Sequence, residues 1–229
     1  MPTYLITGAN RGIGLELARQ AAARGARVFA TCRDPAHAEE LQNAAAASDG
    51  KIEIFELEVT SDDSLTALKT RIGSQPIDVL INNAGIMGKD PQNPVNMNFA
   101  ELEHVLAVNS VAPLRVTLAF LANVEAAKGK IAVLSSIMGT FGYNDSSKLA
   151  YCVSKTALNG IFRHLARELK KCHVSVVLLH PGWVRTDMGG SSATISPEES
   201  ARGLLGEIDA CTLEKTGRLM SFQRGEMTW

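Results

Sequence analysis

The chain has 229 residues, 45% of them apolar and 21% charged, with a formal net charge of -1. So even a balance gives no electrostatic reason to expect nucleic acid or an anionic membrane as a partner. No apolar run is long enough to span a bilayer, and the length suits one full-sized core, with residues 1–229 forming a single domain.

The N-terminus passes directly into Tyr4-Leu5-Ile6, without the charged region, apolar stretch and cleavage site of a secretory signal. Four cysteines lie far apart and form no CxxC pair, so reduced thiols and a cytoplasmic location are expected. Five histidines include no HExxH, and no metal site is predicted.

Short β-rich runs then alternate with longer helical patterns. Strands are predicted at 3–7, 27–32, 52–57, 78–82, 130–135, 174–180 and 218–222. Val79-Leu80-Ile81 and Val176-Val177-Leu178-Leu179 are continuously apolar, as strands covered on both faces should be. Helices are predicted at 13–24, 61–72 and 100–124, the second opened by Ser61-Asp62-Asp63 with carboxylates at the positive end of the dipole. The Ala-rich 43–48 segment reads as a helix end. Such alternation argues for an α/β chain built on one doubly wound, mostly parallel sheet of about seven strands, with helices on both faces.

The turn between the first strand and first helix holds Gly8, Gly12 and Gly14, spaced GxxxGxG. Glycines there let backbone N–H groups approach a pyrophosphate beside the positive end of a helix. Gly8, Asn10, Arg11, Gly12, Ile13 and Gly14 are the loop residues expected to hold a dinucleotide. At the end of the second strand, where a carboxylate selects the ribose 2′-OH of NAD, this chain has Cys32-Arg33-Asp34. Arg33 suits a 2′-phosphate, with Arg11 able to assist, so NADP(H) is expected rather than NAD(H). The alternative is that Arg33 is solvated and Asp34 takes the ribose.

Tyr151 and Lys155 stand four apart, on one face of a helix if that stretch is helical. The lysine charge is expected to lower the phenol pKa, making Tyr151 the general acid as a carbonyl oxygen gains charge. Ser136, just past the fifth strand, is the second donor, in preference to Ser135, which can bond local backbone. Asn109 lies four residues before Pro113, which has no N–H to return to the Asn109 carbonyl. A kink and a free acceptor able to hold a water on the path from Lys155 to solvent are expected there; the alternative is an ordinary proline kink with a satisfied core asparagine.

Together these segments resemble the short-chain dehydrogenase/reductase family over essentially the whole chain. Thr7 to Gly14 match its TGxxxGxG loop, Asn82-Asn83-Ala84-Gly85 its NNAG segment, and Pro181-Gly182-Trp183-Val184-Arg185-Thr186 its PGxxxT segment. Asn109, Ser136, Tyr151 and Lys155 match its catalytic tetrad. Within the family the chain is similar to the NADPH carbonyl reductases and the sniffer/C-factor-like branch. The resemblance implies a Rossmann fold and a homodimer or homotetramer. It also implies cofactor contacts from Glu58, Val59, Asn83, Ala84, Gly85, Tyr151, Lys155, Pro181, Gly182, Val184 and Thr186. Three features depart from the pattern. Glu58 stands where Asp is commoner, and two extra residues separate Ser136 from Tyr151, to be absorbed by the 142–148 loop. The large insertion of the longer carbonyl reductases is absent.

On the substrate side, Met138, Phe141, Tyr143, Trp183 and Met188 offer an apolar wall, and a loop around 187–200 with Gly189-Gly190 is a candidate lid. Hydride transfer to an aldehyde or ketone, or from the matching alcohol, is the activity expected. The alternative is a nucleotide-binding regulatory or signalling protein whose turnover is incidental.

Overall fold

Residues 1–143, 147–223 and 225–229 are described in a computed structural model. The first half runs β1 (Thr3–Ile6), α1 (Gly12–Ala23), β2 (Arg27–Cys32), α2 (Glu39–Ala46), β3 (Ile52–Glu56), α3 (Asp62–Ile72) and β4 (Val79–Asn82). A small hairpin, β5 (Gln92–Asn93) and β6 (Asn96–Met97), precedes α4 (Phe99–Leu106), α5 (Ala112–Ala119) and α6 (Leu121–Ala126). The chain continues through β7 (Lys130–Leu134), α7 (Leu149–Leu169), β8 (Ser175–His180), α8 (Pro197–Ala210), β9 (Arg218–Ser221) and β10 (Gly225–Glu226).

The main sheet has the order β3-β2-β1-β4-β7-β8-β9-β10, parallel throughout except for the β9–β10 pair. The seven predicted strands are all present; the eighth, β10, is two residues long, too short to leave a periodic signal. Strand side chains alternate between two cores, as the period of two requires. Tyr4, Ile6, Val28, Ala30 and Ile81 meet α1, α2 and α8 on one face. Leu5, Phe29, Leu80, Val133 and Leu178 meet α3, α5, α6 and α7 on the other. Strands buried from both sides explain the unbroken apolar runs. This is a doubly wound Rossmann-like α/β fold. β2 and β4 leave β1 in opposite directions, which opens a crevice at the carboxyl ends of β1 and β4.

Local chemistry sets the helix boundaries. Ser61 Oγ accepts the Ser64 N–H and starts α3; Ser196 Oγ accepts the Glu199 N–H and starts α8, with Pro197 in its first turn. Residues 197–200, expected in the substrate loop, are therefore helix. The predicted 100–124 helix is also broken. α4 passes into a π-helical turn, Ala107–Val111, where the Ala112 N–H reaches the Ala107 carbonyl. Pro113 cannot donate, so the ladder cannot close at Asn109 and the slack is taken up as a wider turn. A second break falls at Phe120.

Candidate active site

The glycine loop is held open by its neighbours. Thr7 Oγ1 accepts the N–H groups of Asn83 and Ala84, each at 3.0 Å, and Asn83 Nδ2 donates to the carbonyls of Thr7 and Gly8 at 2.8 and 2.9 Å. The NNAG segment thus ties β4 to the loop after β1. A Cβ on Gly14 would lie 2.3 Å from the Gly8 oxygen and 2.4 Å from Asn83 Nδ2, so only glycine fits. Arg11, the N-cap of α1, supplies no side-chain cap, and the first-turn N–H groups of α1 remain for an anion. This uncapped helix start and the close-packed glycines fit a pyrophosphate.

A cleft of about 760 Å³ runs from this loop to Tyr151. Among the expected cofactor residues, Gly8, Asn10, Arg11, Gly12, Ile13, Gly14, Arg33, Glu58 and Val59 line it. So do Asn83, Ala84, Gly85, Tyr151, Lys155, Pro181 and Thr186. Gly182 and Val184 do not line it: Gly182 packs against Ile195 and Phe222, and Val184 is buried and bridges to Ile195. Asp187, from the expected 187–200 loop, also lines the cleft; so do His37 and His104, which were not anticipated because neither belongs to a spaced motif.

At the adenosine end, Arg33 Nε lies 3.9 Å from Glu58 Oε2, while Glu58 Oε1 accepts from the backbone and hydroxyl of Thr60. Asp34 is turned to His37, whose Nδ1 lies 2.6 Å from its carboxylate, and His37 holds the Asp34 pKa below the usual range. Asp34 is thus engaged by His37 and is not among the residues that line the cleft. Arg11 meets Asp187 at 2.6 Å across the cleft.

The Tyr151 end of the cleft is dry. Tyr151, Ser154, Lys155, Leu158, Asn159 and Phe162 form the buried stripe of α7. Lys155 Nζ donates to the Leu134 carbonyl at 2.6 Å and lies 5.6 Å from the Tyr151 ring centre. Ser136 draws the phenol pKa down, and its hydroxyl accepts the Met138 N–H at 3.1 Å. Ser135 instead donates to Asn159 Oδ1, a side chain rather than local backbone. The 3-10 turn carrying Met138 (Ile137–Gly139) presses on α7, where a Cβ on Gly139 would lie 2.7 Å from Lys155 Cβ.

Burial pushes the Tyr151 phenol up to about 12, against the pull of Ser136 downward, and pulls Lys155 down to about 8. The expectation that Lys155 acidifies the phenol is therefore overturned. Lost hydration is the dominant cause, and Lys155 is not among the groups that move the phenol. A phenol of this kind is fully protonated at neutral pH, the form a proton donor requires.

Asn109 is fully buried, and its amide is committed. Its Oδ1 accepts the Ile86 N–H and its Nδ2 donates to the Ile86 carbonyl, both at 2.8 Å, with a further bond to Ser154 Oγ at 3.0 Å. Ser154 Oγ in turn donates to the Tyr151 carbonyl. Asn109 thus braces α7 and the segment after β4 from behind the cleft lining.

Of the apolar wall, Met188 lines the cleft, whereas Met138, Tyr143 and Trp183 do not. Trp183 is half exposed, and its ring N–H donates to the Gly189 carbonyl, tying down the segment expected as a lid. The 142–148 loop lies partly outside the described residues.

A short chain dehydrogenase family model matches residues 2–195. The chain is 38% identical over 167 residues to C-signal of Myxococcus xanthus, covering 72% of this chain and 100% of that protein. In structure it is similar to a carbonyl reductase from Pseudomonas aeruginosa PAO1 in complex with NADP, with TM-score 0.90, 34% identity and full coverage of both chains. It is also similar to the carbonyl reductase Sniffer of D. melanogaster, with TM-score 0.92, 30% identity and full coverage of both. The chain belongs to the short-chain dehydrogenase/reductase family of oxidoreductases.

Proposed function

We propose that the protein is an NADP(H)-dependent carbonyl reductase acting on an aldehyde or ketone, with Tyr151 as the proton donor. The observation that carries this reading is the buried Tyr151–Lys155 pair at one end of a cleft whose other end is the glycine loop. Gly8, Gly12, Gly14 and the start of α1 hold the pyrophosphate; Arg33 holds the 2′-phosphate. The NADP carried by the Pseudomonas aeruginosa reductase and the engagement of Asp34 by His37 support that cofactor over NAD(H). NADP(H), when bound, supplies the hydride that reaches the carbonyl carbon.

Tyr151 gives its proton to the carbonyl oxygen as charge builds there, and Ser136 polarises the same oxygen. Lys155 acts after the transfer: its ammonium stabilises the phenolate left behind, and it holds a ribose hydroxyl. Asn109 acts through the backbone of Ile86 and through Ser154, keeping α7 and the segment after β4 in register. Met188, the residue of the expected apolar wall that lines the cleft, favours an apolar carbonyl compound over a sugar or carboxylate. Exposed Val111, Leu118 and Val153 near the helices of the site support a homodimer or homotetramer. No helix among the described residues is long and apolar enough to cross a membrane, and a cytoplasmic location belongs to the same reading.

A second reading, a nucleotide-binding signalling protein, is favoured by the similarity to C-signal. Mixing the protein with NADPH and a panel of aldehydes, ketones and quinones separates the two. Loss of reduced-nicotinamide absorbance is expected. Tight NADPH binding with no turnover across the panel would move the second reading ahead.

A further inference from the structure

Between β4 and α4 the chain leaves the sheet, and this excursion touches the start of α7, the helix that carries Tyr151. Gln92 opens β5 within the polar run Asp90-Pro91-Gln92-Asn93, yet it is only 1% exposed. Both ends of its amide are used. Nε2 donates to the Met87 carbonyl at 3.0 Å, and Oε1 accepts the Tyr151 N–H at 3.2 Å.

That second bond answers a need. The first N–H groups of a helix have no partner within it and need an acceptor from elsewhere. The N-cap of α7 is Lys148, which makes no side-chain cap, because an ammonium has only donors. Tyr151 is the third residue of α7 and is buried, so water cannot readily replace the missing cap. Lys148 is itself tied to the excursion: its Nζ bridges both carboxylate oxygens of Asp90, at 2.7 and 2.8 Å. At its far side the excursion is pinned to α4, where Glu101 Oε1 accepts the Lys89 N–H at 2.8 Å.

We infer that Gln92 is a positioning residue: it caps α7 at the Tyr151 amide and thereby sets the phenol against Ser136 and the carbonyl to be reduced. The inference rests on Tyr151 as proton donor. Its consequence is kinetic. A proton donor displaced by about 1 Å loses on the order of a hundredfold in rate, while binding at the distant glycine loop is untouched.

The test compares Gln92→Leu, which removes both bonds at similar volume, with Gln92→Glu, which keeps an acceptor that a helix start favours. Each is assayed beside Tyr151→Phe, and exchange of the Tyr151 amide hydrogen is followed in the unaltered protein and in both Gln92 variants. Gln92→Leu is expected to lower kcat by about ten- to a hundredfold, with the NADPH Kd within about twofold of the unaltered protein. Gln92→Glu should keep most of kcat, and the Tyr151 amide should exchange slowly except in Gln92→Leu.

An unchanged kcat in Gln92→Leu, an equal loss in both variants, or free exchange of the Tyr151 amide in the unaltered protein would overturn the inference. If Gln92→Leu does not fold, the exchange measurement on the unaltered protein and kcat of Gln92→Glu decide by the same criteria. Should Tyr151→Phe keep turnover, the proton-donor reading fails by itself, and amide exchange still reports whether Gln92 caps the helix.

Discussion

The two ends of the cleft differ in their access to water. At the adenosine end the side chains of Arg11 and Arg33 are 65% and 74% exposed, and their carboxylate partners are open as well. At the nicotinamide end Tyr151 and Lys155 are 8% and 5% exposed. Charges in water are screened and weakly coupled, so the first end can bias which cofactor binds but does little chemistry. Groups shut away from water feel their lost hydration strongly, so the second end holds a phenol near 12 beside an amine near 8. The proposed function thus puts cofactor selection at the wet end and proton transfer at the dry one.

The contrast is sharpest in substitutions. At the dry end, Ser136→Ala removes the hydroxyl that draws the phenol pKa down. It should lower kcat by about a hundred- to a thousandfold, read by NADPH consumption with a saturating ketone. A loss of less than about threefold would show that the hydroxyl is a bystander.

The pH profile comes next in size. Burial holds Lys155 at about 8, so its positive charge is present below that pH and is lost above it. The phenol, at about 12, stays protonated throughout. The rate of reduction should therefore be level up to about pH 8 and fall tenfold per unit beyond it, as the charge that steadies the phenolate disappears. A profile level to about pH 10 would mean that Lys155 keeps its proton or that its charge is not used.

The smallest effect belongs to the wet end. Arg33→Ala should weaken NADPH binding by about tenfold and NADH binding hardly at all, with the gap shrinking as salt is added. Equal losses for both cofactors would break the assignment of Arg33 to the 2′-phosphate.

Much of this was legible in the sequence because it is written locally. Strands covered on both faces must be continuously apolar, and a turn that cradles phosphate must be glycine. A phenol and an amine that share a helix face must stand four apart. Asn109 was legible as a special position through Pro113, but not in its partners: its bonds to Ile86 depend on how the π-helical turn and the segment after β4 meet. Gln92 left no signal, since a buried amide in a polar run looks like any surface loop. The direction of the Tyr151 shift was missed for a related reason. The spacing of Tyr151 and Lys155 reveals that the two are neighbours, whereas the depth of their burial is a property of everything packed around them.

The most direct test is Tyr151→Phe, with NADPH affinity and ketone reduction measured on the same preparation. The expected result is an NADPH Kd within about twofold of the unaltered protein and a kcat lower by about a thousandfold or more. Reduction persisting at a rate near that of the unaltered protein would contradict the assignment of the buried phenol as the proton donor.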